Sequence, residues 1–493
     1  MQRTLPADTF WGSRWQQVGA VTVPALLTRL EEHGAIDNLR ALDTPRRGWW
    51  FADSDVHKWM EGAIFAGRLD LAEPVAAAIA AMQAPDGYLH SFFGDRRYRS
   101  LVGSHELYCM GHFIEAACAH HEVTGATWLL DVAVRVAEHI CAEFGPGGEH
   151  DGATDGHPEI ELALCALGAR VGERRYAQQA RRFVHAVPGA LDRPAGHAVR
   201  ALYFATGAWD AAVALDDHDL AEQVRRWWRE LVDTRMYITG GVGGRWTGEA
   251  IGRAHELPNE MAYAETCAAV AAARLAARLG DHETERRIVH NAVLAGAGAD
   301  GCEWFYSSPL SATDGDEANP WMPPGDFSGS SLLERFPARR LPWYDVTCCP
   351  TNLTRWLAAL PWWSGASGNP VAEAASATPR IVHGHPRNEA ARGCVAVEVD
   401  PFVMCAEQAD HRWLTGGDVV LQTTGSVSTR NRWPTVDATL APLHWHGGPF
   451  DGHESVGAAK HGPLVPFASW ANRSPGAMTV WFRDGRSAHA AQH

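Results

Sequence analysis

The chain has 493 residues, 46% of them hydrophobic, an ordinary fraction for a globular protein and enough chain for a large helical barrel with a smaller appendage. Its 43 basic and 58 acidic residues give a net charge of -15 with no long run of Lys or Arg, which excludes nucleic acid and anionic membrane surfaces as partners. Ten cysteines lack disulfide-framework spacing, and residues 1–6 lead at once into globular sequence with neither a signal-type apolar run nor a membrane-spanning segment, so a cytoplasmic protein is expected.

Between residues 54 and 360, Ala, Leu and Val recur at helical spacing with short Gly, Pro or Asp breaks. The pattern predicts helices over 71–82, 105–124, 128–144, 159–171, 175–187, 220–233, 262–279 and 283–295. Segments of this kind, paired antiparallel, predict a mainly α fold, an (α/α)6 toroid, in which loops at one end build the pocket. Two loops have suitable residues: Gly240-Gly241-Val242-Gly243-Gly244 and Trp304-Phe305-Tyr306-Ser307-Ser308-Pro309. After about residue 363 the chain turns Gly-, Ser-, Pro- and His-rich, with β-like runs at 394–399, 419–423 and 478–482. The expected organisation is an α/α-barrel catalytic domain over 1–363, a linker or irregular segment over 364–391 and a reduced β-rich region over 392–493.

Two acid and thiol groupings stand apart chemically. Asp345-Val346-Thr347-Cys348-Cys349-Pro350 holds adjacent cysteines, and Glu265-Thr266-Cys267 pairs a carboxylate with a third thiol. One carboxylate and three thiols form a donor set for tetrahedral zinc. Adjacent cysteines diverge by about 100° on a helix, so both face one ion only where the backbone is irregular, and Pro350 is expected to supply the break. Glu265 and Cys267 would be about 200° apart on a regular helix, which places them at a helix start or a distorted turn. The plain alternative is that both cysteines are small buried hydrophobes and Glu265 caps a helix. Glu249 follows the glycine-rich loop, where an acid serves as general acid/base in a dry pocket and is otherwise simply solvated. His105, His157 and His197 each stand at the start of a helical pattern, positioned either to meet substrate hydroxyls or to make a structural hydrogen bond.

The runs His105-Glu106-Leu107-Tyr108-Cys109, Gly196-His197-Ala198-Val199-Arg200, Glu256-Leu257-Pro258-Asn259-Glu260-Met261-Ala262-Tyr263-Ala264-Glu265-Thr266-Cys267 and Cys348-Cys349-Pro350-Thr351-Asn352 stand in one order. Asp53-Ser54-Asp55-Val56-His57-Lys58-Trp59 precedes them and Trp470-Ala471-Asn472-Arg473 follows. Together they resemble glycoside hydrolase family 127, whose best known activity is β-L-arabinofuranosidase. The resemblance implies zinc held by Glu265, Cys267, Cys348 and Cys349, with Cys348 as nucleophile and Glu249 as general acid/base. It places His105, His157, His197 and Tyr306 against the sugar or the nucleophile. It further implies retention of configuration, a plant-derived oligosaccharide as substrate, and allows a homodimer. Two departures accompany it. Only residues 361–391 separate Leu360 from the motif at Arg392-Gly393, where a longer relative carries a substantial β-sandwich; and Val346 stands where some relatives have a further cysteine. Competing readings are a zinc hydrolase acting on a non-glycosidic bond, which would require an open metal position, and a non-catalytic sugar-binding toroid.

Overall fold

Two kinds of helix alternate along the first half of the chain, and their burial separates them. Ala52–Phe65, Glu106–Thr124, Ile160–Val171 and Ala198–Leu215 are buried nearly all round. Leu69–Met82, Trp128–Phe144, Arg174–His185 and His218–Arg235 follow them one by one, and these carry exposed positions along their length. A helix apolar on one stripe covers a core, whereas one buried on every side must lie inside it. The computed structural model describes residues 3–40, 45–313 and 339–485. It divides into two units, the first made of Met1–Leu231, Arg274–Gly280 and Asp345–Ser367, the second of Val232–Ala273, Asp281–Tyr344 and Gly368–His493.

In the first unit the inner helices approach closely at glycines. A Cβ added at Gly111 would stand 2.7 Å from Glu159 Cγ, and one at Gly207 would stand 2.5 Å from Glu161 Cβ. Ala52–Phe65 escaped the sequence pattern because its buried positions include Asp53, Ser54, Asp55, His57, Lys58 and Glu61, so it shows no polar face. These polar groups are paired inside: Asp53 accepts from the Ser91 amide and hydroxyl, and Lys58 meets Asp55 at 3.0 Å.

The second unit contains a ten-stranded sheet, antiparallel except where Phe482–Asp484 runs parallel to Val419–Arg430. Strands Cys394–Val399 and Phe402–Glu407 are buried on both faces, and alternate residues supply two different cores. Val395, Val397, Val399, Phe402, Met404 and Ala406 join Leu421, Val436 and Leu464 in one. Ala396, Val403 and Cys405 turn the other way onto Tyr237, Ala262, Ala264 and Phe305. The stretch 364–391, expected to be irregular, carries helix Pro370–Ala375 and edge strand Arg380–His383. Asn369 caps that helix, accepting from the Ala372 amide at 3.2 Å, Pro370 opens it, and the strand pairs in register with 394–399. The helix expected over 262–279 begins only at Thr266, because Ala262 and Ala264 lie in the sheet-side core and Ala264 adopts φ 27°.

Candidate active site

The double cysteine opens helix Cys348–Ala358. The break expected at Pro350 is absent: Pro350 sits in the first helical turn, where its missing N–H would have had no partner in any case. The two sulfurs stand 3.8 Å apart, far beyond disulfide bonding. Two thiolates about 2.3 Å from one tetrahedral ion are about 3.8 Å apart, so this pair already has the bite of a zinc chelate. The neighbours differ in access, since Cys349 is fully buried while Cys348 is partly open.

Glu265 is the residue before helix Thr266–Leu279, and its carbonyl accepts from the Ala269 amide at 3.0 Å. A bridge to Ser307 and the Thr266 amide donating to Tyr306 O (2.9 Å) fix this helix start. Cys267 lies in its first turn, buried. One ligand atom from each of Glu265, Cys267, Cys348 and Cys349 lies within 4.8 Å of the other three. Three thiols and one carboxylate at that spacing fit zinc by donor type and number.

The three sequence-predicted histidines come together. Ring centroids of His105 and His157 are 5.4 Å apart, those of His157 and His197 5.9 Å, and Tyr108 lies 4.2 Å from His157. His105 adopts φ 55° between two helices, and His197 caps Ala198–Leu215. Burial drives the His105 imidazole down to about 4, and burial with the other imidazoles beside it drives His157 well below the usual range. Both rings are therefore neutral at pH 7. Each has Nδ1 against a carbonyl, Gly103 O at 3.0 Å for His105 and Pro158 O at 3.0 Å for His157. Nδ1 must then donate, which leaves Nε2 as an acceptor on both rings. His197 is the reverse, its Nδ1 accepting from the Arg200 amide at 3.5 Å.

Glu249 occupies a tight turn at φ 53°, half-buried, and Tyr263 donates to its Oε1 at 2.8 Å. Tyr306 is buried beside Tyr263 and Tyr344, with centroids 6.2 and 5.5 Å away. Sequence reasoning gave no role to Asp155, whose carboxylate accepts from the amides of Leu107 (2.8 Å), Tyr108 (3.1 Å) and His157 (2.9 Å) and so ties two histidine-bearing segments together. It likewise missed Lys58, which is fully buried and donates to the Tyr108 hydroxyl at 3.2 Å. The only signal for either was an ionisable side chain inside an otherwise buried stretch.

A charged network lies within the first unit. Arg355 bonds Glu61 (2.9 Å), Glu115 (2.5 Å), Asn352 (2.7 Å) and the Tyr203 hydroxyl (3.2 Å), while Arg274 pairs with Glu115. Glu159 faces His112 at 3.1 Å. Burial and the adjacent Glu115 hold the Glu159 carboxyl well above the usual range, so it keeps its proton. Three acids against two guanidiniums leave one surplus negative charge, and that proton cancels it.

Helix pairs of this type define an α/α-toroid protein, and the three thiols and one carboxylate add to it a donor set that could hold a metal ion. The β-L-arabinofuranosidase, GH127 catalytic domain description matches residues 6–361, and the glycoside hydrolase family 127 C-terminal domain matches residues 379–483. The chain belongs to glycoside hydrolase family 127. A non-reducing end β-L-arabinofuranosidase of Bifidobacterium longum subsp. longum is 32% identical over 388 residues, covering 66% of this chain and 57% of that protein. The chain thus spans less than two thirds of that relative's length. A solved GH127 β-arabinofuranosidase superposes with TM-score 0.82 at 24% identity, over 99% of this chain and 97% of that one. A GH127 β-L-arabinofuranosidase from Geobacillus stearothermophilus T6 gives 0.84 at 22%, over 98% and 100%. These likenesses establish the fold, an (α/α)6 toroid followed by a β-rich C-terminal region.

Proposed function

We propose that this chain is a zinc-dependent retaining glycoside hydrolase that releases terminal β-L-arabinofuranose from plant-derived oligosaccharides, with Cys348 as nucleophile and Glu249 as general acid/base. The observation that carries the reading is the grouping of Glu265, Cys267, Cys348 and Cys349 with a sulfur separation of 3.8 Å. Bound zinc would keep the coordinating thiols deprotonated at neutral pH. Of the adjacent pair only Cys348 is open to a substrate, and its place at the first position of a helix favours the thiolate through the positive end of the helix dipole. In the first step the Cys348 sulfur bonds to the anomeric carbon. The bond to the leaving oxygen breaks with its electron pair, and Glu249 supplies the proton. In the second step Glu249 takes a proton from water, the water oxygen bonds to the anomeric carbon, and the carbon–sulfur bond breaks, so configuration is retained. His105 and His157 offer acceptors to sugar hydroxyls, and His197 offers a donor.

Aryl glycosides, with metal analysis of the same preparation, test the reading. Cys348→Ser and Glu249→Gln should each abolish turnover of an aryl β-L-arabinofuranoside with a poor leaving group. A very good leaving group should restore the first step in Glu249→Gln alone, because only that variant keeps its nucleophile. Equal restoration in both, or an inverted first product by NMR, refutes the roles. Active protein free of metal refutes the zinc assignment.

A further inference from the structure

Glu249 is held in a conformation that its side chain does not favour. Its φ of 53° lies in the left-handed region, which a non-glycine residue adopts only where its surroundings hold it there. The turn that imposes it is closed three times: Arg245 N donates to Ala250 O (3.0 Å), Ala250 N to Arg245 O (2.9 Å) and Glu249 N to Trp246 O (3.0 Å). Arg245 is itself anchored on Glu256 through two bonds of 2.5 and 2.6 Å. The carboxylate is met from a rigid base. Tyr263 is fully buried, its chain neighbours Ala262 and Ala264 are embedded in the sheet-side core, and its hydroxyl meets Glu249 Oε1 at 2.8 Å. A phenol fixed at one carboxylate oxygen restricts the rotamers open to a long, flexible acid.

Resting on the reading above that Glu249 is the acid/base, we propose that Tyr263 is the positioning residue for proton transfer. Through its hydrogen bond to Oε1 it holds the Glu249 carboxyl where it delivers a proton to the leaving oxygen and later receives one from water. Misplacing a proton donor slows only the steps whose transition state needs that proton. A tyrosine that merely filled the core would show no such selectivity when its hydroxyl is removed.

The test uses full-length, zinc-loaded protein and aryl β-L-arabinofuranosides of graded leaving-group pKa. Tyr263→Phe should lower kcat/KM, which reports the first step alone, at least tenfold on the poorest leaving group and less than twofold on the best. In the Glu249→Gln background, adding Tyr263→Phe should change nothing further, since both act on one proton. Uniform loss across leaving groups, no loss at all, or a further additive loss in the double variant overturns the proposal. The double variant keeps the test decisive even where Tyr263→Phe lowers thermal stability, because the comparison is then between two chains that share the Glu249→Gln change. If Glu249→Gln alone shows no leaving-group dependence, the acid/base reading fails instead.

Discussion

At the scale of single residues, Glu159 keeps its proton because of Glu115 and burial, and Asp155 holds three amides from two segments of the chain. Glu265, Cys267, Cys348 and Cys349 stand out by chemistry alone, whereas nothing local marks Glu159 as protonated or Asp155 as a staple, because both properties arise from residues distant in the chain. Removing one donor from the metal group should release what folding gained from it, so Cys267→Ser should lose both bound zinc and thermal stability; unchanged values of both would contradict the ligand set. In the buried network Glu159→Gln should be tolerated, since amide replaces a group already neutral. Glu115→Gln, which strips a carboxylate from Arg274 and Arg355, should cost about 3 kcal/mol in denaturant unfolding. Glu161 offers a pH test. Burial raises it to about 7, so the folded chain binds a proton that the unfolded chain releases near the ordinary glutamate value. The advantage of the native chain over Glu161→Gln should therefore be greatest below about pH 4.5 and shrink by up to about 3 kcal/mol as pH rises to 7. An advantage that grows over that range would place the shift in the opposite direction.

At the scale of elements, the amphipathic helices were readily legible and the inner ones unevenly so. Trp128–Phe144 follows its predicted span end to end. Ala52–Phe65 was missed because its polar side chains face partners inside the protein and so erase the period on which such reading depends. The helix within 364–391 opens on Asn369-Pro370, a cap and first-turn pair lying in a stretch of polar, loop-like composition. Helix contacts carry their own prediction. A methyl at Gly207 would press against Glu161 Cβ and Leu162 N, so Gly207→Ala should destabilise by about 1–3 kcal/mol and lower Tm, while Gly125→Ala, which meets nothing, should change stability only through its left-handed backbone. A Tm for Gly207→Ala equal to that of the native chain would mean that the inner helices can shift apart freely.

At the scale of the whole molecule, no helix among the described residues is long and apolar enough to cross a membrane. The toroid class was legible because it follows from many weakly periodic segments in sequence. The ten-stranded sheet was not, since its order joins strands far apart in the chain, such as Phe482–Asp484 beside both Cys394–Val399 and Val419–Arg430. Limited trypsin cleavage at exposed Arg387 should give two bands on a denaturing gel yet one species in gel filtration, because Arg380–His383 remains laddered to Cys394–Val399; separated fragments would show that this pairing is weak. The two-faced hairpin of 394–407 has one more consequence. The family's catalytic part ends at 361, but the apolar floor beneath Ala262 and Ala264, on either side of Tyr263 and next to Glu265, is laid by Ala396, Val403 and Cys405. A gene fusion or chimera that carries only residues 6–361 would transplant the ligands without the ground they stand on, so the smallest portable form of this protein includes its sheet.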